Sequence, residues 1–201
     1  MRLIAAELAC RRGGRDVFSG VGFTVASGEI LTVSGRNGAG KSSLLRMVAG
    51  LLRISAGALT LEAGDPQLSI AEQAHYLGHQ DALKGSLSVA ENLQFWAGLY
   101  GIRSADIRKP LDAIGLGALS GLPAAYLSAG QRRRLSIARL LVAPRPLWLL
   151  DEPTSTLDAA AAERLADVMR AHLAGGGLII AASHGPIGLG GARELRLGEA
   201  P

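Results

Sequence analysis

One stretch of this chain limits its fold more than any other, the sequence from Gly35 to Ser42. Its pattern is G-x-x-x-x-G-K-S. An apolar, strand-like run at 29–34 precedes it, and apolar residues recur at helical spacing over 44–48. A strand, a glycine-rich loop and a helix in this order predict a loop that binds the phosphates of a nucleotide.

The residues of this loop suit phosphate binding for different reasons. Glycines allow the backbone to approach phosphates closely, and successive backbone N–H groups at the start of a helix face an anion. Lys41 adds a positive charge for the β- and γ-phosphates of a nucleotide, and the Ser42 hydroxyl suits Mg²⁺. The residues predicted to bind the nucleotide here are Gly35, Arg36, Asn37, Gly38, Ala39, Gly40, Lys41, Ser42 and Ser43.

Composition sets the size and class of the protein. With 201 residues, of which 48% are hydrophobic, the chain is long enough for one substantial core and a small subdomain. No run approaches the roughly 18–20 apolar residues that a membrane span requires, and the first residues lack the apolar core of a signal peptide. A single cysteine, Cys10, excludes an internal disulfide, fits a reducing compartment and is expected to be buried.

The net charge of +4 leaves two kinds of partner open. A basic protein can bind nucleic acid or rest on the anionic face of a membrane. The arginines are scattered without interleaved aromatic residues, and no nucleic-acid module is recognisable. We therefore expect no nucleic-acid partner, while the charge alone decides nothing about a membrane.

Apolar patterning divides the chain into a β-rich part and a helical part. Strands are predicted at 3–9, 22–26, 29–34, 59–62, 75–78, 147–150, 178–183 and 194–197. Helices are predicted at 105–114, after capping boxes at Ser88 and Ser128, and after Asp158. The chain is therefore predicted to form a single domain, 1–201, with a nucleotide-binding core at 1–80 and 145–201 and a helical subdomain at 81–144.

Two carboxylates follow the apolar run 147–150 directly. Asp151 and Glu152 stand where a buried parallel strand is predicted to end, and ligands of open α/β sheets gather beyond the carboxyl ends of strands. One carboxylate can hold the water shell of a metal, and the next can orient or deprotonate an attacking water. An ordinary acidic turn before Pro153 is the alternative, but the glycine loop favours the functional interpretation.

The pentapeptide Leu127-Ser128-Ala129-Gly130-Gln131 indicates a family. It resembles the signature motif of ABC ATPases, usually written L-S-G-G-Q, and it stands between the glycine loop and the Asp-Glu pair in the order of that family. The resemblance covers nearly the whole chain. It implies an α/β P-loop NTPase fold with a mixed central sheet, an antiparallel β part and an inserted helical subdomain.

The resemblance also implies roles for further residues. Gln80 is similar to the Q-loop glutamine, Ser155-Thr156-Leu157-Asp158 to the D-loop, and His184 to the switch histidine that contacts the γ-phosphate. Glu152 would be the general base, with Gln80 and His184 as further catalytic residues. The implied Mg²⁺ ligands are Ser42, Gln80 and Asp151.

Residues outside these motifs receive ordinary structural roles. His75 and His172 are expected to lie at the surface. Arg132-Arg133-Arg134 is expected to be a solvated helix face, although one arginine could support the signature helix.

In ABC ATPases two copies pack head to tail in an ATP sandwich. ATP held by Lys41 of one copy would be capped by Ser128, Gly130 and Gln131 of the other, since the two loops of one copy would lie too far apart. Closure and hydrolysis then act as a two-state switch on membrane domains. The chain encodes no membrane domain, so the resemblance implies a separate integral-membrane subunit and a peripheral position at the cytoplasmic face of the inner membrane.

Two positions depart from the family pattern. Ala129 replaces the first glycine of the G-G pair, which leaves Gly130 free to approach a phosphate. The aromatic residue that commonly stacks on adenine should fall near Arg12, where there is none. Arg11 or Arg12 could stack on the base through a guanidinium face, and the preference for ATP over GTP is implied only by the family.

At a finer level the chain is similar to the family of haem exporter ATP-binding subunits of cytochrome c biogenesis. The stretches that carry this likeness are 77–84, 88–96, 127–139, 146–148 and 183–186. It implies small membrane proteins of haem delivery as partners. The alternatives are the ATPase subunit of another ABC transporter, a soluble ABC ATPase in cofactor assembly, and a binding subunit that does not hydrolyse ATP; intact Lys41, Asp151, Glu152 and His184 argue against the last.

Overall fold

The strands form two separate sheets in the computed structural model, which describes residues 1–103, 106–183, 185 and 187–198. Their bounds are β1 (Arg2–Arg12), β2 (Arg15–Ala26), β3 (Ile30–Gly35), β4 (Ala56–Glu62), β5 (Ala74–Leu77), β6 (Leu147–Asp151), β7 (Leu178–Ala182) and β8 (Arg193–Leu197). The antiparallel sheet has the order β2-β1-β4, and the parallel sheet has the order β5-β6-β7-β3-β8. The predicted α/β fold class with an antiparallel part is confirmed, while every described pairing of the central sheet is parallel and this sheet is therefore not mixed.

The helices are α1 (Lys41–Val48), α2 (Val89–Leu99), α3 (Arg108–Ala113), α4 (Ala129–Val142) and α5 (Ala159–Ala174), with 3₁₀ turns at Gly117–Leu119 and Ala124–Tyr126. The described chain divides into two compact units. The first contains Met1–Gly78, Arg145–Pro153 and the described chain from Met169 onward, and the second contains His79–Pro144 and Thr154–Val168. The assignment of 1–201 to one ATPase domain with a subdomain at 81–144 stays a prediction.

The core of the first unit lies around the parallel sheet. Every residue of β6 and β7 is buried, as expected for central parallel strands that are covered on both faces. Helix α1 contributes its apolar side, the predicted one, to this core. Cys10 is buried as predicted, and burial raises the pKa of its thiol.

The first two strands are longer than the sequence pattern indicated. They form one hairpin around the Gly13-Gly14 turn, and their pairing shifts register at several points along β1. Such bulges interrupt the period-2 alternation that marks a strand in sequence. The predicted strands at 3–9 and 22–26 therefore covered only parts of β1 and β2.

The prediction that His75 and His172 lie at the surface is wrong. His75 is 1% exposed on β5. The His172 ring stacks on the indole of Trp148, with ring centroids 3.8 Å apart and planes at 9°, and its Nε2 lies 3.2 Å from the Pro146 oxygen. Tertiary packing buries His75 and leaves His172 half-buried, which no local pattern reveals.

Helix starts in the second unit agree with the predicted caps. Ser88 and Ser128 form capping boxes with Glu91 and Gln131, respectively, and Asp158 Oδ1 accepts a 2.7 Å hydrogen bond from the backbone N–H of Ala161. Helix α3 is shorter than predicted and begins at Arg108, while residue 105 lies outside the described part of the chain. Among the described residues, no helix is both long and apolar enough to span a bilayer.

The arginine run on α4 is not a solvated face. Arg133 is 2% exposed, and its Nη1 lies 3.7 Å from Asp81 Oδ1. Arg132 Nη1 donates a 2.7 Å hydrogen bond to the Leu127 oxygen, just before the helix. The alternative prediction, that an arginine supports the signature helix, is confirmed, because helical periodicity turns consecutive side chains to different surroundings.

Candidate nucleotide site

The glycine loop joins β3 to α1 at the carboxyl edge of the parallel sheet. Gly40 stands at the N-cap of α1 with φ of 101°, a left-handed conformation that favours glycine. A Cβ at this position would lie 2.7 Å from side-chain carbons of both Val17 and Phe18. Glycine is therefore needed at Gly40 for conformation and for space.

The remaining loop residues lie around the start of the helix. The Ala39 N–H donates to the Arg36 oxygen at 3.1 Å, which closes a turn within the loop. Lys41 is 8% exposed, and its Nζ donates to the oxygens of Gly35 at 2.9 Å and Arg36 at 3.3 Å. The loop thus holds a buried ammonium group among its own carbonyls at the positive end of a helix dipole.

Asp151 comes from β6 and meets the loop. Ser42 Oγ donates a 3.0 Å hydrogen bond to Asp151 Oδ1, and the aspartate is 3% exposed. Since β3, β7 and β6 are neighbouring parallel strands, their carboxyl ends share one edge of the sheet. The structure therefore brings the glycine loop and the Asp-Glu pair together, as the sequence predicted.

Glu152 follows with an unusual backbone. Its φ is 49°, in the left-handed region that non-glycine residues rarely occupy, and its N–H donates to the Ala182 oxygen at 2.9 Å. Strain of this kind clusters at functional sites, where surrounding structure holds it in place. The strained turn sets the direction of the glutamate side chain.

A cavity of about 690 Å³ lies between these elements, within the range of small-molecule sites. It is lined by Arg12, Gly13, Val17, Asn37, Gly38, Gly40, Lys41, Ser42, Ser43, Asp151 and Glu152. These lining residues include no aromatic side chain. The cavity combines backbone N–H groups, one ammonium and two carboxylates, a set suited to a triphosphate and its counter-ion.

The two arginines considered for base stacking differ in the structure. Arg12 lines the cavity. The guanidinium of Arg11 lies elsewhere: Nη2 donates to the Gly14 oxygen at 3.3 Å, and Nε lies 3.6 Å from Asp16 Oδ1. Of this pair, Arg12 is the one that lines the cavity.

The predicted signature residues lie in the second unit, at the start of α4. The Gln131 N–H donates to Ser128 Oγ at 3.2 Å, and the Ser128 N–H donates to Gln131 Oε1 at 2.8 Å. A Cβ at Gly130 would lie 3.0 Å from the Thr156 oxygen. The glycine lets the predicted D-loop approach this helix end, whose free N–H groups suit an anion.

Gln80 also belongs to the second unit, where it is exposed. The backbone just after it is anchored: Ser136 Oγ donates to the Asp81 oxygen at 3.0 Å, and Trp96 Nε1 donates to the Ala82 oxygen at 3.3 Å. The segment that carries Gln80 is thereby fixed to α2 and α4. His184 lies outside the described residues.

Two contributors to the first-unit site were missed from the sequence. Tyr76 Oη donates to Asp151 Oδ2 at 3.4 Å and accepts from Arg46 Nε at 3.3 Å. The sequence did place Tyr76 on a predicted strand shortly before Gln80. Only the pairing of β5 with β6 shows that it faces Asp151.

The side-chain oxygens of Ser42 and Asp151 are suitable ligands for Mg²⁺. The ion takes hydroxyl, carboxylate, water and phosphate oxygens and is usually held by few protein ligands, and Ser42 and Asp151 present such oxygens 3.0 Å apart. In the described ranges, no group of three or more His, Cys, Asp or Glu side chains could hold a metal ion.

Comparison with known proteins also indicates a nucleotide-binding protein. The family model described as ABC transporter matches residues 18–155. The chain belongs to the ABC transporter family. The predicted transport ATPase of this family is therefore confirmed, and ATP is its nucleotide. Membership implies a membrane partner subunit.

Curated relatives narrow the family further. A cytochrome c biogenesis ATP-binding export protein CcmA from Rhodopseudomonas palustris (strain BisB18) is 62% identical over 200 residues and covers 100% of both chains. CcmA from Nitrobacter hamburgensis is 58% identical and covers 98% of both chains. CcmA from Mesorhizobium japonicum is 56% identical over the full length of both. The chain belongs to this group of ABC proteins.

Solved structures agree on the fold. An ABC transporter ATP-binding protein from Pyrococcus furiosus has a TM-score of 0.84 with 21% identity, covering 98% of both chains. An ATP-binding subunit of an ABC transporter has a TM-score of 0.80 with 25% identity, covering 92% of this chain and 80% of the other.

Proposed function

We propose that this chain is the ATP-hydrolysing subunit that powers haem export or delivery in cytochrome c biogenesis. The observation that carries the ATPase part is the contact between Ser42 and Asp151, because it brings the phosphate loop and the Asp-Glu pair to one cavity. The names of the relatives support the process, cytochrome c biogenesis. Haem as the exported cargo goes beyond those names and is part of the proposal.

The nucleotide is bound by the loop of the first unit. Backbone N–H groups over 38–42 and the Lys41 ammonium neutralise the phosphates, and Arg12 faces the base. Ser42, Asp151 and Gln80 are proposed to hold Mg²⁺ and its water shell. When bound, the ion supplies charge neutralisation at the β- and γ-phosphate oxygens.

Hydrolysis requires a base for the attacking water. Glu152 lies at the edge of the cavity, on a backbone turn that fixes its direction. Its carboxylate would orient the water and accept its proton as the water oxygen attacks the γ-phosphorus. The bond from the γ-phosphorus to the β,γ-bridging oxygen then breaks, and ADP leaves. Gln80 and His184 are proposed to complete the contacts to water and γ-phosphate.

The signature residues of a second copy are proposed to close the site. Ser128, Gly130 and Gln131 form a helix end with exposed Ser128 in the second unit, a suitable anion cradle. The protein would then form ATP-dependent dimers. Sedimentation should show such dimers for the wild type and their loss in Ser128→Ala.

The chain offers a matched control for that experiment. Ser88 caps α2 with the same capping box that Ser128 forms on α4, so each serine-to-alanine change costs about 1 kcal/mol of helix stability. Ser88→Ala should keep ATP-dependent pairing. Equal loss of pairing in both variants would contradict the sandwich.

The chain is proposed to act at the cytoplasmic face of the inner membrane, bound to its membrane subunit and to small haem-delivery proteins. Maturation of c-type cytochromes should stop in cells that carry Lys41→Ala and continue in cells that carry Lys109→Ala, which changes an exposed lysine. Haem staining of the c-type cytochromes measures this, with ATP turnover of each purified variant alongside.

The two measurements separate the parts of the proposal. Normal maturation in Lys41→Ala cells, with ATP turnover lost, would overturn the haem assignment and leave the ATPase assignment standing. Undiminished turnover in Lys41→Ala would overturn the ATPase site itself. Fractionation with soluble partners only would favour a soluble ABC ATPase of cofactor assembly.

A further inference from the structure

Both oxygens of the Asp151 carboxylate have partners in the first unit. Ser42 Oγ donates to Oδ1 at 3.0 Å, and Tyr76 Oη donates to Oδ2 at 3.4 Å. The tyrosine oxygen in turn accepts from Arg46 Nε at 3.3 Å. A chain of polar contacts therefore runs from α1 through β5 to the end of β6.

Strand register places Tyr76 and Asp151 on the same face of the sheet. Tyr76 pairs with Leu149 in the parallel ladder of β5 and β6. Side chains alternate between faces along a strand, so Asp151, two residues beyond Leu149, points to the same face as Tyr76. The contact is a consequence of the fold and not of a flexible side chain at the surface.

Gly78 leaves room for the tyrosine ring. A Cβ at Gly78 would lie 3.0 Å from Tyr76 Cε1 and 3.2 Å from its hydroxyl oxygen. The ring of Tyr76 therefore lies over the position that a side chain at residue 78 would occupy. The glycine allows the hydroxyl to reach across to the neighbouring strand.

The tyrosine hydroxyl lies between a cation and the carboxylate. Its oxygen accepts from Arg46 Nε at 3.3 Å, and its O–H donates to Asp151 Oδ2 at 3.4 Å. Donation from Arg46 polarises the O–H bond toward the carboxylate, which strengthens a charge-assisted contact.

We propose that Tyr76 is a positioning residue for Asp151, supported by Arg46, and that it sets the affinity of the nucleotide site for Mg²⁺. The inference rests on the proposed metal role of Asp151. While Ser42 binds Oδ1, the hydroxyl of Tyr76 keeps Oδ2 fixed and prevents rotation of the carboxylate. Removal of a residue that hydrogen-bonds to a metal ligand typically weakens metal affinity about 10–100-fold.

The test measures metal binding and not turnover. The purified chain is titrated with Mg²⁺ in the presence of a fluorescent, slowly hydrolysed ATP analogue, and metal-free binding of the same analogue is measured in a chelator. Tyr76→Phe keeps the ring and removes the hydroxyl. We expect unchanged metal-free binding and a half-saturating Mg²⁺ concentration raised about tenfold.

Two further variants and one control sharpen the result. Gly78→Ala, which displaces the ring but keeps the hydroxyl, should raise the Mg²⁺ requirement in the same direction. Arg46→Met should raise it less, since the tyrosine contact survives. Tyr126→Phe removes the hydroxyl of a tyrosine that is 76% exposed and should leave the titration unchanged.

Asp151→Asn distinguishes failure of this inference from failure of the proposed site. If Asp151→Asn abolishes the Mg²⁺ response and Tyr76→Phe titrates like the wild type, Tyr76 has no positioning role. If Asp151→Asn itself titrates like the wild type, the proposed metal site is wrong. A raised Mg²⁺ requirement in both supports the inference.

Discussion

Ser42 and Asp151 are 109 positions apart in the chain, and a 3.0 Å hydrogen bond joins their side chains. One residue belongs to the first turn of α1 and the other ends β6. The contact exists because the parallel sheet sets the carboxyl ends of β3 and β6 at one edge. It brings the glycine loop and the Asp-Glu pair to the same cavity.

Loss of the Ser42 hydroxyl should weaken binding of the Mg²⁺ complex of ATP. Ser42→Ala removes an oxygen from the proposed metal site, and we expect about a tenfold loss of affinity. Calorimetric titration with Mg²⁺ and ATP measures it. Ser42→Thr retains the hydroxyl and should bind like the wild type; equal affinities for the Ala and Thr variants would contradict the role.

Arg12 should contribute to nucleotide affinity through the base. Arg12 is one of the residues that line the cavity, while the guanidinium of Arg11 is engaged by Gly14 and Asp16. Arg12→Ala should weaken binding of ATP and ADP alike by about two- to fivefold, the effect of an exposed cation–π contact. Arg11→Ala is the matched control, and the two variants should differ in equilibrium binding of fluorescent ADP.

The ion pair between buried Arg133 and partly buried Asp81 should be important for the stability of the second unit. Arg133→Ala leaves a partly buried carboxylate without this cation and should cost about 3 kcal/mol of unfolding free energy or more. Chemical denaturation followed by the fluorescence of Trp96, which lies in this unit, measures it. Arg108→Ala, at an exposed position, should stay within about 0.5 kcal/mol.

Equal unfolding free energies of Arg133→Ala and Arg108→Ala would contradict this prediction. Trp96 is a suitable reporter because Arg139 Cζ lies 4.3 Å from its ring centroid. Burial lowers the pKa of Arg139, but a guanidinium stays charged at neutral pH. The fluorescence of Trp96 should therefore change when the packing of α2 against α4 is lost.

His172 should make the stability of the first unit depend on pH. Burial lowers the pKa of its ring below the ordinary value of 6.5, so the unfolded chain takes up a proton more readily than the folded one. Stability from this group is complete above the unfolded pKa and is lost as the pH falls through the folded pKa. Unfolding free energies at about pH 7.5 and about pH 5.5 measure the loss.

The variant His172→Phe keeps a ring for the stack on Trp148 and cannot titrate. We expect it to lose less stability between the two pH values than the wild type does. His79→Gln replaces an exposed histidine and should follow the wild type. Identical pH dependence of His172→Phe and the wild type would contradict the assignment.

Local patterns in the sequence were sufficient for much of this structure. The glycine loop, the capping boxes of Ser88 and Ser128 and the Asp158 cap each depend on residues within a few positions of one another. Such interactions can be recognised from a short segment of sequence. The buried parallel strands β6 and β7 were likewise evident as apolar runs.

What escaped prediction depends on pairing between distant segments. Tyr76 meets Asp151 only through the register of β5 on β6, and His172 meets Trp148 only when the end of α5 packs beside β6. Arg133 is buried because Asp81 and its backbone lie against α4. Burial of a polar side chain against a remote partner has no local signature.

The most direct test of the account is the ATP turnover and nucleotide content of Glu152→Gln. The amide keeps the shape of the side chain but cannot accept a proton from water, so turnover should fall by at least about a hundredfold. Bound nucleotide, measured after rapid filtration, should remain as unhydrolysed ATP. Turnover close to that of the wild type would show that Glu152 is not the base of this site.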